Sequence, residues 1–327
     1  MTLLTLIFAF LIEQLRPLSV HNPVFKAISA IALWLEDTFN AGQRAHGRTA
    51  WLLLVVPTVA LAGLIPLALA QLHPLLAFVW NVLLLYLTLG FRQFSHHFTN
   101  IQLALSAGDL HEARSILARW AQESDREFSA DALDAAEIVR HTVRLALIAS
   151  HRHVFGVLFW AAILPGATAM GAVLYRLADY LNRRWNLPPA ADEHPERDFG
   201  AFAQSAFALI DWIPVRLTAL GFAIVGNFED AIYCWRTRAH SWPRHEPAIL
   251  LASGEGALGV RLRPQAATPA TSFGIDPTTD QTTDPEGDWD ANPPQLSTLR
   301  TAVGLVWRSV VLWLIVLVLV SVGSWIK

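Results

Sequence analysis

The sequence predicts an all-α, polytopic membrane protein, and both its composition and its apolar runs indicate this fold class. Hydrophobic residues make up 54% of the 327 residues and charged residues only 16%, while the 13 Trp suit the interfaces of a bilayer. Mainly apolar runs cover 1–15, 51–72, 74–89 and 303–326. A helix needs about 20 apolar residues to cross a bilayer, so these runs predict about four transmembrane helices, two of them forming a hairpin.

Two further apolar segments, 154–175 and 201–226, are interrupted near their centres. The first has a Leu-Pro-Gly sequence at 164–166. The second carries three residues that disfavour a plain helix in lipid, namely Asp211, Pro214 and Arg216. Proline removes a backbone N–H, and an unpaired charge at bilayer depth is costly. We therefore predict two re-entrant or broken intramembrane helical segments, with six full spans as the alternative.

The two opposite charges of the second segment flank its proline. An isolated charge at this depth is costly, whereas a paired one is tolerable. We therefore predict that Asp211 and Arg216 neutralise each other or share a third partner. A polar site at these residues would bind a ligand or a partner.

The Lys and Arg residues near the ends of the predicted spans indicate the orientation. The turn at 71–74 has none, whereas the first loop and the segment after the third span have four each: Arg16, Lys26, Arg44, Arg48, Arg92, Arg114, Arg119 and Arg126. Loops rich in Lys and Arg face the cytoplasm. We expect a multi-pass protein of the bacterial inner membrane, with its N-terminus outside.

The chain divides into three predicted regions. Residues 1–263 form a membrane domain, in which 92–153 are cytoplasmic, helical and amphipathic, with Ser129 placed as a helix N-cap. Residues 264–295 are rich in Pro, Thr and Asp and predict a disordered linker, because they cannot bury enough apolar surface to order themselves. Residues 296–327 hold the last transmembrane helix.

Composition and motifs exclude several kinds of site. The single cysteine, Cys234, rules out an intrachain disulfide and a Cys-cluster metal site. The pairs His96/His97 and His151/His153 have spacings that point the two rings apart on a helix, so no metal site is predicted. A net charge of −3 argues against a nucleic-acid partner. The expected partners are the lipid bilayer and a small molecule or membrane protein.

Two polar stretches lie outside the apolar runs. The first has acids and an arginine at helical spacing, namely Asp125, Asp131, Asp134, Glu137 and Arg140. A solvated helix face would give the same pattern. In the second, Glu255 lies between Gly254 and Gly256, so another backbone or a ligand could approach closely. A helix-terminating turn is the alternative there.

Six short sequence motifs occur in the same order as in a known family. They are His-Asn-Pro-Val at 21–24, Leu-Ala-Leu-Ser-Ala-Gly-Asp-Leu-His-Glu-Ala-Arg at 103–114, Leu-Asp through Glu to Arg at 133–140, Leu-Phe-Trp at 158–160, Ile-Pro-Val-Arg-Leu at 213–217 and Gly-Ala-Leu-Gly-Val-Arg-Leu at 256–262. The sequence thereby resembles the CobD/CbiB family, the membrane-bound cobinamide-phosphate synthases of cobalamin biosynthesis. It also resembles their relative AmpE, which is implicated in β-lactamase regulation.

The sequence departs from the synthases at several acids. Arg144 and Ile148 stand at the two Glu of the family's Glu-Ser-x-x-Glu-Asn, and Arg152 stands at the Asp of its Asp-Gly. The acid of its Asn-Thr-Leu-Asp is displaced to Asp179. The family's reaction joins an amine to a corrinoid carboxylate with ATP and needs Mg²⁺ held by carboxylates. The resemblance therefore implies the family fold without that metal site.

Two hypotheses of different classes follow. The preferred one, closer to AmpE, is a non-catalytic sensory or regulatory membrane protein without a cofactor, which binds a ligand through Asp211, Arg216, Glu255, Arg140, Asp179 and Glu246. The alternative is an ATP-dependent, cobinamide-phosphate synthase-like ligase that uses ATP, Mg²⁺ and a corrinoid. Its acids would be drawn from Asp125, Asp131, Asp134, Glu137, Asp179 and Glu246.

Overall fold

The computed structural model describes residues 2–16, 22–40, 43–164, 168–186, 198–242, 247–263 and 292–325. The described chain folds into helices, in the order α1 (Thr2–Leu15), α2 (Pro23–Phe39), α3 (Arg44–Leu72), α4 (Pro74–Thr88), α5 (Phe91–Ser106), α6 (Leu110–Ala121), α7 (Ala135–Ser150), a π-helical turn (His151–Phe155), α8 (Gly156–Ile163), α9 (Thr168–Trp185), α10 (Ala201–Val225), α11 (Phe228–Arg238), a 3₁₀ turn (Ala239–Ser241), α12 (Ala248–Leu258) and α13 (Leu296–Trp325). Within these ranges the β-structure amounts to one isolated bridge. The all-α prediction is confirmed.

Helices of membrane length confirm a polytopic membrane protein. Within the described ranges, four helical stretches are long and apolar enough to cross a bilayer: Arg44–Leu72, Ala135–Ile163, Ala201–Val225 and Leu296–Ser321. The first contains the predicted span 51–72, and the last covers most of the predicted span 303–326. The other two predicted spans form α1 and α4, which have 14 and 15 residues. At about 1.5 Å per residue these are shorter than a hydrocarbon core of about 30 Å.

The expected break at Pro214 does not occur. Helix α10 has 25 residues and continues past Pro214 without a break. A proline inside a helix has no N–H to donate, so it leaves the carbonyl four residues earlier without its partner. In this chain the carbonyl of Ile210 instead accepts a hydrogen bond from Trp160 Nε1, at 3.2 Å. A neighbouring helix therefore supplies the donor that Pro214 lacks.

The π-helical turn joins α7 to α8 without an interruption. The sequence suggested a boundary at 153 between cytoplasmic helices and an intramembrane element, but the apolar helix runs past this point to Ile163. Helix α9 follows and packs against α8, so the predicted hairpin form is present. Two of the three residues of its expected turn, the Pro and Gly at 165–166, lie outside the described residues. The first arm of this hairpin is part of a membrane-length helix rather than a short re-entrant one.

Aromatic packing ties three of the membrane-length helices together. Phe155, at the end of the π-helical turn, is fully buried. Its ring contacts Phe222 of α10 edge-on, with 5.8 Å between ring centroids, and Trp313 of α13 at 5.9 Å. Such aromatic contacts contribute about 0.5–1.5 kcal/mol beyond the burial of area. The π-helical turn therefore lies at the centre of the helix packing.

One helix end differs from the sequence prediction, and another agrees with the alternative given for it. Helix α7 is capped by Asp134, whose carboxylate accepts the N–H of Glu137 at 2.8 Å, and not by Ser129. The alternative interpretation of the glycine-rich segment also applies, since α12 ends at Gly259 with a φ of 64°. Glycine adopts this left-handed conformation without a steric cost.

The predicted linker falls almost wholly outside the described residues, at 264–291. Its two ends lie side by side, because Val260 and Asn292 form the isolated bridge. Arg261 N donates to Asn292 O at 3.1 Å, and Asn292 N donates to Gly259 O at 3.2 Å. This bridge holds the end of α12 next to the start of α13. The division into a membrane domain, a linker and a final helix stays a prediction.

Candidate functional site

A buried network of polar side chains lies where the π-helical turn meets α9 and α10. His151 donates its Nε2–H to Asp211 Oδ1 at 2.8 Å, and Tyr175 donates its hydroxyl to the same oxygen at 3.0 Å. The other ring nitrogen of His151 lies 2.9 Å from Thr218 Oγ1. All four residues are buried. We call this set, His151, Tyr175, Asp211 and Thr218, the histidine network.

A glycine permits this network. Gly156 lies in α8, and a Cβ added there would come within 2.1 Å of Tyr175 Cζ. Because the glycine has no side chain, the ring of Tyr175 can lie against the backbone of α8 and its hydroxyl can reach Asp211. The small residue thus positions a polar contact between three helices.

Three arginines surround one carboxylate next to this network. Asp179 is fully buried, and its two oxygens face Arg183 Nη2 at 2.8 Å, Arg176 Nη1 at 3.4 Å and Arg152 Nε at 3.4 Å. The arginine side chains are 24%, 14% and 16% exposed, respectively. We call Arg152, Arg176, Asp179 and Arg183 the arginine cluster.

The cluster follows from local sequence spacing. Arg176 and Arg183 lie three residues before and four residues after Asp179, so all three share one face of α9. Arg152 comes from the π-helical turn, next to His151. Such turns are frequent at functional sites because the inserted residue redirects its neighbours.

The charge of Asp179 depends on its arginine neighbours. Burial alone opposes ionisation of this carboxyl, but Arg183, Arg152 and Arg176 outweigh it and lower its pKa from 3.8 to about 2. Asp179 is therefore ionised at neutral pH. Three guanidinium groups and one carboxylate leave the cluster with an excess of two positive charges.

A third polar group forms at α11 and α12. Glu255 is buried, with Arg238 Nη1 at 4.0 Å from its Oε1 and the N–H of Leu262 at 3.4 Å from the same atom. Arg140 reaches the same region, because its Nε donates to the carbonyl of Arg261 at 3.2 Å. Two predicted ligand-binding residues, Glu255 and Arg140, therefore lie near the end of α12.

The predicted acidic stretch is mostly an exposed turn and a helix start. Asp125 and Asp131 are exposed and accept hydrogen bonds from Glu127 N and Ser129 Oγ. Asp134 caps α7, and Glu137 pairs with Arg140 on the first turns of that helix. The structure thus favours the solvated helix face for these acids. Glu246 lies outside the described residues.

The predicted pairing of Asp211 with Arg216 is wrong. The guanidinium of Arg216 donates to the carbonyl of Trp212 at 2.7 Å and lies over the Trp212 ring at 4.1 Å. Both contacts are within its own helix turn. The partners of Asp211 come from other helices instead, because the continuous α10 keeps residues five apart on different faces.

No group of three or more His, Cys, Asp and Glu side chains that could hold a metal ion occurs in the part of the chain that the structure describes. Three of the acids that are buried there face basic or hydroxyl groups. Asp179 faces arginines, Asp211 faces His151 and Tyr175, and Glu255 faces Arg238.

Comparisons with known proteins decide the family. The sequence model of the family described as CobD/Cbib protein matches residues 3–285. The chain belongs to the CobD/CbiB family. A relative from Stutzerimonas stutzeri, named cobalamin biosynthesis protein CobD, is 32% identical over 336 residues, which covers 99% of this chain and 98% of the relative. A second protein with this name, from Chromobacterium violaceum, is 36% identical over 220 residues, covering 67% of this chain and 65% of that protein. No solved structure matches the chain.

These relatives correct the preferred functional hypothesis. A non-catalytic sensory or regulatory role was expected because several acids of the CobD/CbiB synthases are replaced. Both relatives are instead named for cobalamin biosynthesis, and one of them matches the whole chain. The alternative hypothesis, a biosynthetic enzyme, is therefore the better supported one. A special closeness to AmpE stays a prediction.

The departures from the CobD/CbiB pattern are also coordinated in space. From the family resemblance alone, Arg152 and the displaced Asp179 are two separate losses of synthase acids. In the structure they contact each other, and Arg176 and Arg183 complete the same cluster. The spacing of the charges in α9 could have revealed that helix face, whereas the contribution of Arg152 depends on how α8 packs against α9.

Proposed function

We propose that this chain acts in cobalamin biosynthesis, at the step that joins an amine to a carboxylate of a corrinoid with ATP. The observation that carries the proposal is the relative from Stutzerimonas stutzeri, which matches over nearly the full length of both chains and is named for this pathway. The family match over residues 3–285 covers every described side chain of the histidine network and the arginine cluster.

The geometry of the arginine cluster supports the binding of the negatively charged reactants. A corrinoid carboxylate and the phosphates of ATP are all negatively charged, and planar guanidinium groups bind such groups through paired N–H donors. The arginine cluster offers three guanidinium groups within one site. The histidine network beside it joins the π-helical turn, α9 and α10. It thereby fixes the positions of His151 and Tyr175, which precede Arg152 and Arg176 in the chain.

Mg²⁺ does not fit the buried acids of the candidate site. This ion takes oxygen ligands, usually one or two carboxylates with water and phosphate oxygens. The buried acids Asp179, Asp211 and Glu255 already face cationic or hydrogen-bonding side chains, and Arg152 stands where the family has an Asp.

The proposal includes the location of the chain. The multi-pass membrane fold, together with the Lys and Arg residues around the first and third predicted spans, supports an inner-membrane protein with its N-terminus outside. In this orientation the predicted cytoplasmic region 92–153, shortened to 92–134 by the membrane-length helix Ala135–Ile163, faces the cytoplasm, where ATP is available.

Growth of a bacterial strain that lacks its cobinamide-phosphate synthase tests the function. In a medium where growth requires cobalamin, we expect the wild-type chain to restore growth without added cobinamide. Cobinamide supplied to the medium should restore growth with or without the chain, because it bypasses the missing step. Growth that still requires added cobinamide, although the chain is present in the membrane fraction, would contradict the proposal.

A further inference from the structure

The arginine cluster has more hydrogen-bond donors than the chain satisfies. Each guanidinium carries five N–H donors. One of the three, Arg183, has a short contact with Asp179, and the other two contacts are 3.4 Å long. Among the described residues, the Nε atoms of Arg176 and Arg183 and the Oδ1 atom of Asp179 are buried without a hydrogen-bond partner, so unsatisfied donors outnumber unsatisfied acceptors. Buried donors without an acceptor are costly, so an additional acceptor at this place would stabilise the cluster.

The charge of the cluster indicates the sign and size of that acceptor. The three arginines and Asp179 leave two positive charges in excess, on side chains that are at most 24% exposed. Partly buried charges of one sign require compensation. A phosphate monoester carries about −1.5 to −2 charges at pH 7 and three acceptor oxygens, so it matches both the charge and the donors.

We propose that the arginine cluster binds a phosphate group directly, without a divalent cation. The proposal deepens the proposed function, on which it rests, by giving a phosphate-bearing reactant a binding site built from Arg152, Arg176 and Arg183. At the position of Arg152 the family has an Asp, so the guanidinium groups of this chain take over the neutralisation of negative charge. The same chemistry would also recognise the headgroup of an anionic lipid.

Calorimetric titration of the purified full chain with inorganic phosphate tests the site. The protein is held in an uncharged detergent with phosphatidylcholine and excess EDTA. We expect the wild type to bind phosphate, and Arg152→Gln and Arg176→Gln each to weaken that binding about tenfold or more, because each removes a charged hydrogen bond. Arg176→Lys should give an intermediate affinity, since it keeps the charge and loses the planar fork.

Arg184→Gln is the matched control. Arg184 is adjacent to Arg183 on α9, but it pairs with Glu36 on α2 at 3.3 Å and does not face Asp179. This variant should bind phosphate as the wild type does. Phosphate-dependent protection of the wild type against thermal unfolding provides a second readout that needs no variant.

A second arm of the experiment separates the two sources of phosphate. Vesicles with phosphatidic acid replace inorganic phosphate, and phosphatidylcholine vesicles serve as the blank. Binding of inorganic phosphate supports a soluble reactant, whereas a response to phosphatidic acid alone supports a lipid headgroup and overturns the link to the reaction.

The proposal is overturned if the wild type binds neither probe in EDTA, if binding requires Mg²⁺, or if Arg184→Gln loses as much affinity as the cluster variants. Together with the growth assay, the titration distinguishes a failure of the phosphate site from a failure of the proposed function. A chain that restores growth without binding phosphate would refute the site, and one that binds phosphate without restoring growth would refute the function.

Discussion

Replacing Asp211 with Ala is expected to destabilise the detergent-solubilised protein by about 3 kcal/mol or more. The carboxylate accepts hydrogen bonds from His151 and Tyr175, and both donors are buried. Each buried donor left without an acceptor costs about 1–3 kcal/mol. The change would also loosen the contact among the π-helical turn, α9 and α10. Denaturant unfolding followed by tryptophan fluorescence measures the loss.

Arg216→Gln is the control for this change, since Arg216 lies five residues along the same helix and contacts only Trp212 of its own turn in the described structure. We expect it to cost less than about 1 kcal/mol. In the double variant the two losses should add within about 0.5 kcal/mol, as expected for residues with separate partners. A recovery of stability in the double variant would show that the two charges pair after all.

Asp179→Asn is expected to destabilise the protein by about 2–5 kcal/mol at neutral pH. The substitution keeps the size of the side chain but removes the carboxylate that forms ion pairs with Arg152, Arg176 and Arg183. Breaking a buried ion pair by removing one partner leaves uncompensated charge, which accounts for this magnitude. Asp131→Asn, on an exposed turn, is the matched control and should change stability by about 0.5 kcal/mol or less.

The same carboxyl gives a pH dependence with a definite sign. Its pKa is lowered from 3.8 to about 2 in the folded protein, so it stabilises the fold above about pH 4. That contribution, about 2 kcal/mol, is lost as the pH falls from about 4 to 2. Asp179→Asn should lack this part of the acid-induced loss. An equal acid dependence in the wild type and the variant would contradict the assigned environment of Asp179.

The fold class could be predicted from the sequence because it depends on composition and length. Apolar runs such as 51–72 and 303–326 identify helices of membrane length whatever they pack against. The continuation of α10 through Pro214 could not be predicted from composition and length. It depends on Trp160, which is 54 residues away along the chain and supplies a hydrogen bond across a helix contact.

The candidate site was predicted only in part, for a similar reason. Asp211 stands out in the sequence as a charge within an apolar segment and Asp179 as the displaced acid of a family motif, and both are buried. Their partners, His151 and Arg152, come from a π-helical turn that no spacing rule in the sequence revealed. Adjacent residues of a regular helix point in different directions, so a site that uses both could be identified only after the helices were packed.

Amide formation by the purified chain tests the central claim most directly. The wild type would be mixed with ATP, Mg²⁺, a phosphorylated amino alcohol and a corrinoid acid, and the corrinoid products would be analysed by mass spectrometry against a reaction without protein. We predict a product whose mass is the sum of the acid and the amine less one water. If the intact, folded chain gives no such product while a relative from Stutzerimonas stutzeri does so under the same conditions, the proposed function is wrong.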